Sequence, residues 1–215
     1  MVITVDGRRE ADSVKLLGVT FDKSYKFDKH IDKITNKIAT RNGQLAKVTN
    51  MADTQTTAMV ANAVVNSVAQ YACEVYGKDT KQVNRVQVKL NNTMRIVLHA
   101  KWKARIHDML RELKWLKLVE TIEYNKIMLL NKIISTQAAP YCMKLIKEGM
   151  MTHQTKYAVR EVELRIAWHP KYSRTGSTSF IYTAVKLYNQ VKLMGTKNKL
   201  ESLKKHVKSK IVSWR

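Results

Sequence analysis

The sequence has only two cysteines, Cys73 and Cys142, among 215 residues. A disulfide framework needs more of them, and neither cysteine stands at metal-ligand spacing from a partner. The six histidines show no HxxxH or HxxC spacing, so no zinc site and no other cofactor is expected. Seven glycines and two prolines are few, which excludes collagen-like and low-complexity classes. No apolar run approaches the roughly 18 residues of a membrane span, and the opening MVITVDGRREAD has the pattern of neither a signal nor a transit peptide. These absences lead us to expect an intracellular chain, nuclear or cytoplasmic, that does not engage a membrane.

Acidic residues are the other shortage. Seventeen Asp and Glu face 39 Lys and Arg, a formal net charge of +22. A field of that size favours polyanions, nucleic acid foremost. The excess is concentrated. Lys78–Arg105 holds eight basic residues against Asp79 alone, and 151–215 holds fourteen against three, while the remaining stretches are nearly balanced.

Lys78–Arg105 organises the chain. Val83, Val86, Leu90, Met94 and Val97 recur at spacings of three and four, which predicts a helix with one apolar stripe. Asp79 and Thr80 stand at the N-cap position. Lys81, Arg85 and Lys89 stack four apart as a ridge beside the stripe, with Arg95 further along and Lys101, Lys103 and Arg105 flanking Trp102. Such a helix either packs by its stripe and presents its ridge to phosphate, or carries an ordinary solvated lysine face. Trp102 either stacks on a base or ribose or plugs a helix junction; Trp115 and Trp168 are assigned to packing.

Around that helix the pattern predicts a mainly α fold, a helical bundle with a short N-terminal β-hairpin. Met1–Asp6 and Val14–Phe21 are the strand candidates, with Asp6-Gly7 as a turn and Gly18 as a bulge or close approach. Asp28 is placed to cap a helix reaching about Thr49, with Ile31, Ile34, Ile38, Leu45 and Val48 inward. A second helix starts at Asp53 or Thr54 and ends at Gly77, and its short link to the basic helix favours antiparallel pairing. Ile106–Leu113, Val119–Thr136 (with Ile122, Leu129 and Ile133 on one face) and Tyr141–Glu148 read as further helices. His153–Ser177 reads as a loop, Ser177–Ser179 as an N-cap run, and Ser179–Lys192 and Lys199–Trp214 as two last helices, the second carrying Lys204, Lys205, Lys208 and Lys210.

Taken in order, several stretches resemble the C-terminal part of non-LTR retrotransposon reverse transcriptases. VKLLGVTFDKSYKFDKHIDKI is similar to the segment after the palm, with Val14–Val19 as the primer-grip strand. QYACEVYG, QVKLNNTMRIV, DMLRELKWLKL, HQTKYAVRE, RTGSTSFIYTAVKLYNQV and the closing basic stretch from Leu200 to Arg215 follow in the family's order. Tyr76 and Tyr188 stand where that family often has Trp. The resemblance implies three segments: 1–27, a hairpin like the end of the palm; 28–150, a thumb-like bundle; and 151–215, a basic loop and helices.

It also implies a function. A thumb tracks the backbone of RNA, an RNA–DNA hybrid or DNA by shape and phosphate contacts, without base reading. The candidate contacts are Lys81, Arg85, Lys89, Arg95, Lys101, Trp102, Lys103, Arg105, Lys204, Lys205, Lys208 and Lys210. The family's catalytic aspartates belong to a palm motif expected upstream of this sequence, and no adjacent Asp-Asp pair occurs here. Asp6, Asp12, Asp22 and Asp28 are scattered and better explained by turns and caps. The expectation is therefore a non-catalytic remnant or fragment that binds nucleic-acid backbone. Its rivals are a co-opted structural subunit of a protein or ribonucleoprotein assembly, and a thumb piece that completes a reverse transcriptase in trans.

Overall fold

In the computed structural model the described residues are 12–137, 139–147, 179–191, Val207 and Ser209. They form a mainly helical protein with a short antiparallel hairpin, as the periodicities predict. The expected strand Met1–Asp6, the loop His153–Ser177 and most of the helix Lys199–Trp214 lie outside the described residues. Among the described residues, no helix is long and apolar enough to cross a membrane. The chain divides into two compact units, Met1–Leu118 and Val119–Arg215.

Among the described residues the first unit begins with strands β1 (Ser13–Leu16) and β2 (Val19–Asp22), paired with Leu16 opposite Val19. This corrects the expectation of one strand over Val14–Phe21. The stretch folds back on itself because Leu17 and Gly18 both take positive φ, 46° and 84°, as a type I′ hairpin turn requires. Gly18 is thus the second turn residue, and the close approach is also present: a Cβ there would lie 3.4 Å from Cε1 of Tyr71.

Helix α1 (Asp28–Val48) follows. Asp28 does not cap it. Phe27 holds the cap position in the left-handed region without a side-chain bond. The carboxylate of Asp22 instead accepts the Lys26 N–H at 2.9 Å and the Ser24 hydroxyl at 2.9 Å, so the strand end holds the turn into the helix. Ile31, Ile34, Ile38 and Leu45 are buried, and Val48 is half-buried.

The expected continuous helix from Thr54 to Gly77 is broken. It comprises α2 (Thr54–Ala61), a π turn (Asn62–Asn66), α3 (Ser67–Gln70) and α4 (Cys73–Tyr76). Asp53 caps α2 through the N–H groups of Gln55 and Thr56. The break lies at Tyr71–Ala72, where Ala72 takes φ 51°; Gly77 ends α4 at φ −76° and not in the left-handed region expected of it. Cys73 is buried.

Helix α5 (Thr80–Val97) carries the basic stretch, and Asp79 caps it by accepting the Lys81 N–H at 2.8 Å. Its stripe is buried throughout: Val83, Val86, Leu90, Met94 and Val97. Five such side chains at about 1.5–3 kcal/mol each outweigh any surface ion pair, so packing fixes which face α5 shows to solvent. The extensive partner of α5 is α1. Asp28 meets Gln82, Asp32 meets Arg85, and Asn42 meets Lys89 and Thr93, so the two helices run parallel, with α2–α4 as the crossover.

Helix α6 (Ile106–Leu113) closes the unit. Met94, Met109 and Leu110 form a cluster there with Trp115 packed against it, so Trp115 is the residue that fills the junction.

The second unit contains α7 (Leu118–Thr136, which begins at the last residue of the first unit), α8 (Pro140–Lys147) and α9 (Phe180–Val191). Ile127, Leu130, Ile146, Ala184, Val185, Tyr188 and Val207 make its core. Ile122 and Ile133 are buried as expected, but Leu129 is 41% exposed, because Leu130 takes the inward position. Pro140 occupies the first turn of α8, where its missing N–H costs nothing. Ser179 accepts the Tyr182 N–H at 3.4 Å ahead of α9, the capping role expected of it.

Candidate nucleic-acid interface

The exposed face of α5 consists of Lys81, Asn84, Arg85, Val88, Lys89 and Asn92, and α5 contains no acidic residue. The structure thus brings Lys81, Arg85 and Lys89 onto one solvent face. They are not equivalent. Arg85 forms an ion pair with Asp32 of α1 and donates to Oε1 of Gln82 at 2.9 Å. Lys81 and Lys89 have no carboxylate partner among the described residues and are exposed.

Past α5 the chain turns sharply. His99 takes φ 49°, its N–H reaches the Ile96 carbonyl at 3.3 Å, and the Ala100 N–H reaches the Arg95 carbonyl at 2.9 Å. This is a Schellman closure built on histidine instead of glycine. It sends Lys101–Arg105 back past the helix end. Lys101, Trp102, Lys103 and Arg105 are all exposed. Trp102 is 76% exposed, so it does not plug the helix junction. The guanidinium of Arg95 lies 4.6 Å from its ring centroid. Arg95 is itself half-buried, and its Nε has no hydrogen-bond partner. Lys204, Lys205, Lys208 and Lys210 lie outside the described residues.

A second basic ridge escaped the sequence reading. Lys29, Lys33, Lys37 and Arg41 recur every four residues along α1 and stack on one face. Counting charge over Asp28–Gly77 hid them, because four acidic residues balance the total. The spacing itself was the available signal. In the structure Asp28 and Asp32 turn to the seam with α5, where they meet Gln82 and Arg85. The four cations are left on the side of the hairpin.

Two titratable groups near this ridge have shifted affinities for protons. Burial raises the Asp22 carboxyl, but the N–H of Lys26, the hydroxyl of Ser24 and the N–H groups of Phe27 and Asp28 outweigh it and hold the group below the usual carboxylate range. Burial first, and the nearby Lys33 charge second, lower the His30 imidazole from its ordinary value. The ring of His30 also meets Tyr76 edge-on at 5.3 Å, and burial pushes the Tyr76 phenol up. The Tyr76 hydroxyl donates to the Ala69 carbonyl, a structural bond in the core.

Among the described residues, no group of three or more His, Cys, Asp or Glu is arranged to hold a metal ion. No family model, curated protein or solved structure matches the chain.

Proposed function

We propose that this chain is a non-catalytic, thumb-like fragment or remnant of a retroelement reverse transcriptase that binds nucleic-acid backbone without sequence preference. The observation that carries the binding reading is the face of α5, to which the helix contributes cations and no carboxylate of its own, continued by the exposed Lys101–Arg105 turn. The buried stripe fixes which side of α5 faces solvent, and that supports the reading. Lys81 and Lys89 are eight residues apart, or about 12 Å along the helix axis. A duplex advances 3.4 Å per step along each strand, so the pair spans about three to four phosphates. The retroelement origin rests on the ordered motifs in the sequence. The lack of polymerase chemistry rests on the missing adjacent Asp-Asp pair.

The test is a salt titration of binding to a labelled RNA–DNA hybrid, duplex DNA and single strands, comparing the wild type with Lys81→Ala/Lys89→Ala. Each phosphate contact adds about 0.9 to the slope of log K against log salt on duplex DNA, so the double variant is expected to lose roughly two. An unchanged slope would return the ridge to a solvated face.

A second reading, that the chain completes a polymerase in trans, is favoured by the hairpin. Among the described residues the sheet has two strands, and Val14 and Leu16 on β1 are 57% and 58% exposed. Two strands alone are marginal in water, so an added strand from a palm would gain both pairing and apolar cover. Template-directed synthesis on mixing with a separately made palm would support it; no synthesis from a mixture in which both pieces are folded would count against it.

A further inference from the structure

A pocket of about 570 Å³ lies between the hairpin turn, α1 and α3. That volume is in the range of small-ligand sites, about 300–1,000 Å³. Lys15 of β1 and Lys33, Lys37 and Arg41 of α1 line it, and no carboxylate does. Lys33 donates to the Thr20 hydroxyl at 3.0 Å, and Arg41 donates to the Val64 carbonyl of the π turn. Both acceptors are neutral, so they orient the cations without cancelling their charge. Among the described residues none of the four forms an ion pair with a carboxylate.

His30 stands in the pocket wall, 5% exposed. Its Nδ1 accepts the Thr20 N–H at 3.4 Å, which ties α1 to β2 at the pocket wall. Four cations with no carboxylate in the lining favour an anionic oxygen as the ligand atom. Tyr71 also lines the pocket. Its hydroxyl donates to the Leu17 carbonyl at 2.7 Å and its ring abuts Gly18, so a 57% exposed aromatic face is held in place beside the cations.

We propose that this pocket binds a nucleotide through its phosphate, with Lys15, Lys33, Lys37 and Arg41 around the phosphate oxygens and the base against Tyr71. The same chemistry is offered by a free nucleotide and by the phosphorylated end of a strand. The site is separate from the α5 face and stands on its own geometry.

The experiment is calorimetric titration of the full chain with AMP, inorganic phosphate and adenosine. A short oligonucleotide bearing a 5′ phosphate or a 5′ hydroxyl is titrated alongside. The variants are Lys37→Gln, Lys33→Gln/Lys37→Gln, and Lys81→Ala/Lys89→Ala as the control on α5. Lys37 is exposed, so its single variant keeps the assay informative if the double variant fails to fold. Saturable AMP binding, tighter than adenosine, is expected; it weakens roughly tenfold or more in the Lys33/Lys37 variant, as the loss of two charge-assisted contacts requires. The α5 variant leaves it within about twofold, because additivity holds for sites that share no partners. A preference for the 5′-phosphate oligonucleotide over both the 5′-hydroxyl form and AMP assigns the strand end, and its absence assigns the free nucleotide. No saturable AMP or oligonucleotide-phosphate binding, or equal binding by wild type and the Lys33/Lys37 variant, overturns the proposal whatever the α5 titration shows.

Discussion

The Arg95 guanidinium stacks over the Trp102 indole at 4.6 Å, across the turn that ends α5. The contact joins a half-buried cation to an aromatic ring that is 76% exposed. It depends on His99 in the left-handed region, which folds the chain back far enough for residue 102 to reach residue 95. The exposed ring is therefore oriented and not free, which would lower the entropy lost if a base stacked on it.

Replacing Trp102 by Ala should separate binding from stability. An exposed cation–π pair contributes about 0.5–1 kcal/mol, so the urea midpoint moves little. Binding to single strands should weaken by about 1–3 kcal/mol, the usual cost of losing one aromatic–base stack. Trp102→Phe should recover most of the binding. If neither variant changes single-strand affinity, the ring is not a stacking platform.

Asp32 offers a prediction of opposite sign. It holds Arg85 in an ion pair whose side chains are 47% and 56% exposed, and a pair so solvated is worth about 0–1 kcal/mol. Asp32→Asn should therefore cost little stability while releasing Arg85 to phosphate. Affinity for duplex at low salt should rise, with a salt slope steeper by up to about 0.9. A weaker complex would show that Arg85 acts only in the seam.

Much of this fold was legible in the sequence because its helices carry regular apolar stripes. The stripe of α5, the four inward residues of α1 and the Asp79 cap all follow from spacing. What was not legible was local backbone reversal on residues that rarely adopt it. Leu17, Ala72 and His99 take positive φ, and nothing in their side chains announces it. The π turn and the break at Tyr71–Ala72 fall within a run of small residues whose pattern is that of one helix. The site was half legible. The α5 ridge stood out by net charge, whereas the α1 ridge did not, because Asp28 and Asp32 sit one position before Lys29 and Lys33 and only tertiary packing sends the two signs to opposite sides.

The seam between α1 and α5 should be fragile at Asn42. This buried side chain donates to the Lys89 carbonyl at 3.2 Å and accepts the Thr93 hydroxyl at 2.8 Å. Asn42→Ala removes both bonds and leaves a small void, so a loss of about 1–3 kcal/mol is expected. Urea denaturation reads it, and a loss no larger than that of Asp32→Asn would show the network to be dispensable.

The hairpin turn should be improvable. Leu17 is 82% exposed and holds φ 46°, a region that β-carbon sterics disfavour by roughly 1–2 kcal/mol for such a residue. Asn before Gly is the favoured type I′ pair. Leu17→Asn should raise stability by about 0.5–1 kcal/mol, whereas Gly18→Ala should lower it, through φ 84° and the Tyr71 contact together. Thermal denaturation of the two variants should move in opposite directions.

His30 sets a pH dependence whose sign follows from its environment. Burial and the Lys33 charge keep its folded affinity for a proton below the ordinary value of 6.5. As pH falls through 6.5 the unfolded chain takes up the proton before the folded one does. The contribution to stability is thus complete above 6.5 and declines as pH drops towards the folded value. His30→Gln removes that titration, so its stability should change less between neutral and mildly acid pH than the wild type does, whatever the absolute cost of the substitution. Chemical denaturation at a series of pH values measures both slopes. Equal slopes would mean that His30 titrates alike in both states and that its burial beside Lys33 carries no electrostatic cost.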